Sequence, residues 1–277
     1  MSQNIFEIRK LVCSYNHQKP VLKIDHLDIP KGKIIVILGK SGIGKSTLLE
    51  TLGLMNDTIL DKANTVLDFK PIAGETHSFK KIWKTQKNTA EVRKNFFSFI
   101  FQDTNLMPNF TVHENILLTQ MIQNEEHTKR TIDILDKVGL GEIGKSKKAF
   151  ELSGGQRQRV AFVRAITPTF TVLFGDEPTG NLDEGNAKDL MDLLKEEIKK
   201  NKTAIIVSHN IDLALQYAHN IIVLTEYKNN DSTKESYGEL LAENVFKKDE
   251  NEIWKKKNGT SIEGDIKQFI KQVAEMK

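Results

Sequence analysis

The stretch IIVILGKSGIGKST, residues 34–47, decides the fold class of this chain. Its first five residues form a continuous apolar run, which is typical of a strand buried on both faces of a parallel sheet. The next nine contain the pattern G-x-x-x-x-G-K-S, in which glycines let successive backbone N–H groups point at phosphate oxygens. The helical pattern TLLETLGL follows and adds the positive end of a helix dipole. This order favours a nucleotide phosphate site over a glycine-rich turn without a ligand.

The loop at residues 39–47 is therefore expected to hold the phosphates of ATP. Lys45 would reach the β- and γ-phosphates, and the hydroxyl of Ser46 would bind Mg²⁺. The residues predicted to line the nucleotide are Gly39, Lys40, Ser41, Gly42, Ile43, Gly44, Lys45, Ser46 and Thr47. ATP and Mg²⁺ are the cofactors that this pattern predicts.

The composition is ordinary for a soluble globular protein. The 277 residues are 39% hydrophobic and 28% charged, and the net charge of +3 is too small to argue for nucleic acid or a membrane surface as a ligand. The single cysteine, Cys13, allows no internal disulfide and fits a reducing compartment. The first residues lack the apolar core of a signal peptide, and no apolar run approaches the roughly 20 residues that span a bilayer. We expect a cytoplasmic protein that does not bind nucleic acid.

The expected fold is α/β. Three further apolar runs have the length of a strand: TVLF (171–174), AIIVS (204–208) and IIVL (221–224). Because they alternate with helical patterns, they predict a P-loop NTPase core with a mostly parallel sheet. Residues 5–29 indicate strands around a turn, which would form an N-terminal antiparallel β subdomain. Residues from about 111 to 160 predict a helical insertion subdomain, in which Thr111 and Glu114 have the spacing of a capping box.

The main domain is expected to cover residues 1–225. Residues 226–277 would form a polar linker, which starts EYKNNDSTKES, and a C-terminal extension. The extension closes with four apolar residues at helical spacing, which are Ile266, Phe269, Ile270 and Val273. They predict an amphipathic helix that docks on the core of the same chain. Residues 54–95 are polar and irregular, with strand-like fragments such as NTVLDF.

Candidate catalytic side chains follow the ends of the other strands. Asp176 and Glu177 end the stretch TVLFGDEP, and strand ends in such sheets face the ligand crevice. Asp176 can hold the Mg²⁺ shell, and Glu177 can accept a proton from the attacking water; alone, such a pair could also be a solvated turn. His209 follows a third strand and would contact the γ-phosphate. Gln102 follows the strand FFSFIF, and its amide oxygen can join the Mg²⁺ or water shell.

The stretch ELSGGQRQRV, residues 151–160, opens a helix with residues that weaken it. Ser153 and Gln156 have the spacing of a capping box, in which each side chain satisfies a backbone N–H near the other. The two positions between them are Gly154 and Gly155, each of which costs about 1 kcal/mol of helix stability against alanine. Glycines at these positions predict that another group approaches this backbone closely.

In this order, the phosphate loop, Gln102, LSGGQ (152–156), DEP (176–178) and His209 resemble the nucleotide-binding domain of ATP-binding cassette (ABC) proteins. The resemblance covers about residues 5–225. In that family two domains face each other head to tail, and each ATP lies between the P-loop of one chain and the LSGGQ helix of the other. The resemblance implies an ATP-dependent homodimer and a set of residues that bind ATP in trans: Ser153, Gly154, Gly155, Gln156 and Asp183.

The resemblance also implies individual roles. Tyr15 matches the aromatic residue that stacks on adenine. Asn181-Leu182-Asp183 matches the loop where the two chains meet. Gln102 matches the loop that links the site to a membrane subunit. Glu177 and His209 match the catalytic base and the switch histidine, with Lys45 completing the catalytic set.

Two segments narrow the resemblance. FQDTNLMPNFTVHEN (101–115) and PTGNLDE (178–184) are similar to ATPases of the macrolide-export, lipoprotein-release and cell-division type, which pair with a separate membrane subunit. The implied function is ATP hydrolysis that drives an integral membrane permease, with the protein peripheral on the inner face of the cell membrane. Two alternatives stay open: signalling through a membrane partner without transport, and a soluble ABC ATPase acting on ribosomes or DNA. The sequence indicates neither the cargo nor its direction.

Overall fold

The structure, a computed structural model, describes residues 3–16, 18–125, 127–144, 146–228, 236–262 and 264–274. Its strands are β1 (Asn4–Cys13), β2 (Leu22–Pro30), β3 (Ile34–Leu38), β4 (Val66–Phe69), β5 (His77–Ser78), β6 (Phe97–Ile100), β7 (Val172–Asp176), β8 (Thr203–Val207), β9 (Asn220–Val223), β10 (Thr225–Lys228), β11 (Ser236–Glu239), β12 (Val245–Lys248) and β13 (Trp254–Lys256). Its α-helices are α1 (Lys45–Leu52), α2 (Phe79–Ile82), α3 (Gln86–Phe96), α4 (Val112–Gln123), α5 (Thr128–Lys137), α6 (Gly154–Ile166), α7 (Glu184–Ile198), α8 (Ile211–Tyr217) and α9 (Ile266–Ala274). Among the described residues, no helix combines the length and the apolar character that crossing a bilayer requires.

The seven-stranded sheet carries the phosphate loop and has the order β13-β12-β9-β3-β8-β7-β6. The five strands from β9 to β6 are parallel, and β12 and β13 extend the β9 edge in antiparallel fashion. Every residue of β3 and β8 is buried. The four apolar runs of the sequence form the adjacent strands β9, β3, β8 and β7, which confirms the predicted α/β core with a mostly parallel sheet.

The six-stranded sheet has the order β10-β11-β2-β1-β4-β5. Its central pair is the β1–β2 hairpin, whose strands run antiparallel from Asn4 opposite Pro30 to Cys13 opposite Leu22. β4 pairs antiparallel with β1 on the other side, and β11 joins β2 in parallel. The hairpin is the predicted N-terminal antiparallel β subdomain.

Two hydrophobic cores lie on opposite faces of the seven-stranded sheet. Ile35 and Ile37 of β3 belong to the core shared with the six-stranded sheet, and the other residues of β3 belong to the core under the helices. The core between the sheets contains an aromatic cluster in which the ring of Phe6 lies 5.2 Å from Phe69 and 6.2 Å from Phe174. Because strand side chains alternate between faces, β3 connects both cores and supports the loop that follows it.

The helical subdomain begins where the sequence predicts it. The hydroxyl of Thr111 accepts a hydrogen bond from the Glu114 N–H at 3.2 Å, and the Glu114 carboxylate accepts one from the Thr111 N–H at 2.7 Å. This capping box opens α4, and α4 and α5 both contact α6. An ion pair of 2.8 Å between Arg130 on α5 and Glu197 on α7 ties the subdomain to the core.

Residues 54–95 are more regular than their sequence indicates. They contain β4, β5, α2 and most of α3. Thr85 caps α3 by accepting a hydrogen bond from the Asn88 N–H at 3.2 Å. The buried side chains of α3 are Thr89 and Val92, so the helix shows almost no apolar periodicity, which is why the sequence did not predict it.

The chain beyond residue 225 joins both sheets. The first residues of the predicted polar linker lie in β10, and residues 229–235 of that linker lie outside the described residues. β12 and β13 extend the seven-stranded sheet, and α9 packs with α8 on the helix-side core. Ile270 is fully buried there, and the ring of Phe269 meets the ring of Phe246 edge-on at 5.8 Å. The amphipathic stripe therefore docks on the chain's own core, as its spacing predicts.

Truncation of the α9 anchor should destabilise the protein. We expect Ile270→Ala to lower the free energy of unfolding by about 2–5 kcal/mol, because it removes a fully buried side chain and leaves a cavity. Ile253→Ala is the matched control, since Ile253 is 55% exposed and its truncation should cost less than about 0.5 kcal/mol. Urea unfolding of both variants measures the difference. Equal losses would contradict the packing of α9 on the core.

Candidate active site

The phosphate loop joins the buried end of β3 to the first turn of α1. Gly44 precedes α1 with φ +97°, a backbone conformation that residues with a side chain rarely adopt. No side chain caps this helix. At Gly39 a Cβ would lie 2.7 Å from the Leu224 carbonyl oxygen, so only glycine fits this turn. The backbone N–H groups at the start of α1 are thus left for an anion.

Lys45 lies across its own loop. Its ammonium group donates hydrogen bonds to the carbonyl oxygens of Gly39 at 2.9 Å and Lys40 at 2.7 Å. The side chain is buried, and this burial lowers the pKa of Lys45, although Glu177 and Asp176 oppose the shift. The loop therefore holds a cation at its centre, where the predicted role of Lys45 needs it.

Ser46 and Asp176 bring oxygen donors from two elements together. Ser46 is the second residue of α1, and Asp176 is the last residue of β7. The Ser46 hydroxyl donates a hydrogen bond of 2.7 Å to the Asp176 carboxylate. A hydroxyl and a carboxylate at this separation are hard ligands that suit a cation such as Mg²⁺.

Glu177 follows directly and lies in a strained, half-buried position. Its backbone has φ +48°, and its N–H donates a hydrogen bond of 3.0 Å to the Val207 carbonyl. The carboxylate Oε1 is buried and has no hydrogen-bond partner among the described residues. Burial raises the pKa of Glu177 to about 7, opposed by a hydrogen bond from the His209 backbone N–H and by the charge of Lys45, and reinforced by the charge of Asp176. A carboxyl group with this pKa can accept a proton near neutral pH.

His209 lies beside Glu177 after the end of β8. Its Nε2 is 3.4 Å from the Glu177 Oε1, and the imidazole is half exposed. Burial, and then the charge of Lys45, lower the pKa of His209 against an opposing effect of Asp176, which favours the neutral ring. Gln102, after β6, lines the same cleft of about 680 Å³ as Glu177 and His209. The structure thus brings together Gln102, Glu177 and His209, the predicted residues that follow β6, β7 and β8.

Tyr15 lies beside the phosphate-loop helix. Its hydroxyl makes hydrogen bonds of 3.1 Å with the Thr47 hydroxyl and with the Glu50 carboxylate. The residue is 55% exposed, so it presents an accessible surface next to α1. Stacking of the ring on a base stays a prediction.

The LSGGQ segment forms the predicted capping box. The Ser153 hydroxyl accepts a hydrogen bond from the Gln156 N–H at 3.2 Å, and the Gln156 amide oxygen accepts one from the Ser153 N–H at 2.9 Å. A Cβ at Gly154 would meet no heavy atom within 4 Å, and one at Gly155 would make only ordinary contacts, the nearest at 3.5 Å from Leu182. The described part of this chain therefore gives no steric reason for either glycine.

Asp183 caps a helix of its own chain. Its carboxylate accepts a hydrogen bond of 2.9 Å from the Asn186 N–H at the start of α7. That bond and the one from the Asn186 side chain lower the pKa of Asp183. The structure does not bring Asp183 or the LSGGQ residues together with Lys45 in hydrogen bonds, and the predicted trans contacts stay predictions.

Three polar residues near the site were missed by sequence reasoning. Lys267 and Lys271 of α9 line the cleft with Glu177, and Lys267 lies 2.6 Å from Asp212, which follows His209 by three residues. Both lysines lie beyond residue 225, where the family resemblance ends. Gln158 donates a hydrogen bond to the carbonyl of Pro178 from the middle of α6. The sequence feature that could have revealed Gln158 is a polar residue on the face of α6 that is otherwise apolar and buried.

Comparison with known proteins identifies the family. A family model described as "ABC transporter" matches residues 22–180. The phosphonates import ATP-binding protein PhnC of Fusobacterium nucleatum is 32% identical over 234 residues, which are 80% of this chain and 89% of that protein. The lipoprotein-releasing system ATP-binding protein LolD of Legionella pneumophila is 35% identical over 235 residues, 82% of this chain and 97% of that protein. The macrolide export ATP-binding/permease protein MacB 2 of Yersinia pestis is 33% identical over 211 residues, 74% of this chain but 29% of that protein.

Solved structures agree with the sequence comparisons. The dimeric structure of MJ0796, a bacterial ABC transporter cassette, has a TM-score of 0.67 and 28% identity, and covers 79% of this chain and 93% of that one. A dimeric post-hydrolysis state of MJ0796 bound to ADP and phosphate has a TM-score of 0.66 and 25% identity over the same shares of the two chains. Because the family model spans more than half of the 277 residues, and because its phosphate loop and acidic strand end lie at one edge of the sheet, this chain belongs to the ABC transporter family and is an ATP-hydrolysing cassette.

Proposed function

We propose that this cassette works as a head-to-tail pair of identical chains whose ATP hydrolysis drives an integral membrane permease. The open N-terminus of α6 is the observation that carries the proposal. Gly154 and Gly155 weaken the helix, and neither is required by a contact within the described chain. The capping box satisfies the N–H groups of Ser153 and Gln156, and those of Gly154 and Gly155 have no partner among the described residues. Because free N–H groups at a helix N-terminus bind anions, these glycines suit a γ-phosphate held by the P-loop of a second copy.

The cis half of each site would hold and activate ATP. Lys45 would exchange its two loop carbonyls for the β- and γ-phosphates. Ser46 and Asp176 would hold Mg²⁺, with Gln102 as a further oxygen donor, and the bound ion would neutralise phosphate charge. Glu177 would take the proton of the attacking water, and the neutral His209 beside it would contact the γ-phosphate.

The trans half would come from the partner copy. The capping box holds α6 in a defined orientation while its first N–H groups stay accessible. The dipole of this 13-residue helix is positive at that end and favours the phosphate. Asp183, at the loop where the copies would meet, is fixed by Asn186 and would contribute to the same interface.

A groove beside the catalytic cleft suits the permease. It has a volume of about 570 Å³ and lies between β6 and α4, with Phe99, Phe101 and Ile122 among its lining residues. Phe99 and Phe101 stack at 5.8 Å, and Phe101 directly precedes Gln102 of the cleft. An occupant of the groove would thus touch the segment that ends in the active site. The name of MacB 2 joins an ATP-binding and a permease part, which supports a permease segment as the occupant. Such a partner would place the cassette on the inner face of the cell membrane.

The groove can be tested with two neighbouring residues of α4. Ile122 lines the groove and Met121 does not, and both are 61% exposed. We expect Ile122→Glu to lower recovery of the cassette with a multi-span partner from detergent-solubilised membranes by about tenfold, because it places a charge in an apolar contact. Met121→Glu should be recovered normally, and unfolding temperatures check both variants. Equal recovery of the two variants would contradict the groove as the docking site.

The base assignment predicts a pH dependence. Since burial raises the pKa of Glu177 to about 7, the carboxyl is protonated and inactive as a base at lower pH. We expect kcat/KM of the purified cassette to rise about tenfold per pH unit up to about pH 7 and then level off. The residual activity of Glu177→Gln should lack this inflection. An inflection that survives in Glu177→Gln would assign the titration to another group.

The trans contact can be tested in mixed dimers. One chain carries Lys45→Ala, and the other carries Gly155→Asp, which puts a side chain and a negative charge where the phosphate would dock. Neither homodimer has an intact site, whereas the mixed dimer has one. We expect one occluded nucleotide in each purified mixed dimer and none in either homodimer, measured with labelled ATP. Mixed dimers that occlude no ATP, under conditions where the unmodified chain does, would overturn the head-to-tail arrangement.

A further inference from the structure

Gln158 connects the LSGGQ helix to the backbone of the acidic strand end. It lies in α6, four residues after Gly154, and is fully buried. Its amide Nε2 donates hydrogen bonds to the Pro178 carbonyl at 2.9 Å and to the Glu177 carbonyl at 3.4 Å. Its Oε1 is buried without a hydrogen-bond partner among the described residues. Burying an amide with one unsatisfied end is unfavourable, so packing alone does not explain a glutamine here.

The backbone that Gln158 contacts is held in a rare conformation. Glu177 has φ +48°, a backbone conformation that residues other than glycine rarely adopt unless surrounding contacts maintain it. The Glu177 N–H is held by the Val207 carbonyl at 3.0 Å, and its carbonyl accepts from the Gly180 N–H at 3.1 Å. Gln158 adds hydrogen bonds to the carbonyls of residues 177 and 178. The direction of the Glu177 side chain therefore depends in part on α6.

We propose that Gln158 is a positioning residue, which makes the orientation of Glu177 depend on the LSGGQ helix of the same chain. The inference rests on the proposed roles of Glu177 as base and of the α6 N-terminus as a phosphate site for the partner copy. Gly154 and Gly155 at the end of α6 would contact the partner's ATP, and Gln158, about one turn further along, holds the base that serves the chain's own ATP. Docking of one phosphate would thus fix the base of the other site, so the two sites act together.

The substitution Gln158→Met tests this role, because methionine matches the length of glutamine but donates no hydrogen bond. We expect kcat to fall at least about tenfold, since the base loses its orientation, and KM for ATP to change less than about twofold. ATP-dependent dimers should still form, and they should accumulate because slow hydrolysis leaves ATP bound between the two copies. Light scattering with ATP and Mg²⁺ measures the dimers, and phosphate release measures turnover.

Thr167→Val is the matched control. Thr167 is fully buried at the other end of α6, and its hydroxyl donates a hydrogen bond of 2.9 Å to the Val163 carbonyl. The control loses one buried hydrogen bond of the same helix without touching residues 177 and 178. It should keep kcat within about twofold of the unmodified cassette, even if its unfolding temperature falls as much as that of Gln158→Met.

Every other outcome of the Gln158→Met experiment counts against the proposal. A Gln158→Met cassette that turns over like Thr167→Val would overturn the proposal, and so would one that loses dimer formation together with turnover. Gln158→Leu repeats the test with a different shape; if both variants unfold at the assay temperature, Gln158 is a support of the fold and the proposal fails. Normal turnover in Glu177→Gln would instead refute the base assignment, which separates the two failures.

Discussion

The parallel register of β3, β8 and β7 is the constraint on which the site depends. Ile37 pairs with Val207, and Val207 pairs with Asp176, so the three strands end at the same level. Because alternate residues of β3 belong to different cores, a slip by one residue would turn each buried side chain to the wrong face. The register therefore brings the phosphate loop, the acidic pair and His209 to one edge.

The chemistry of that edge comes from burial as much as from residue type. Asp176 and Glu177 are adjacent acids with different environments. Asp176 accepts a hydrogen bond from Ser46, whereas Glu177 is turned by its φ of +48° into a partly covered position where its pKa rises to about 7. One strand end thus supplies both a carboxylate suited to a cation and a carboxyl suited to proton transfer.

The same chain presents two different half-sites on its surface. The cation and acids lie at the sheet edge, and the uncovered helix N-terminus at Gly154 lies on a different element. A head-to-tail pair would complete both sites at once, and Gln158 would make each depend on the other. A protein named for phosphonate import and one named for lipoprotein release match this chain at 32% and 35% identity, so the likeness itself does not favour a direction of transport.

Local pattern determined much of this protein. The strand–loop–helix at residues 34–47 and the capping boxes at Thr111 and Ser153 were predictable, because apolar period, glycine spacing and caps act over a few residues. The family followed from the resemblance of its ordered motifs to those of ABC proteins. The tertiary structure alone decided the rest. α3 has too few buried residues to show a period, and β12 pairs with β9 although a segment that the sequence indicated only as a polar linker lies between them. Gln158 reaches residue 178 across 20 positions, and the pKa of Glu177 depends on burial by distant elements, which no local pattern records.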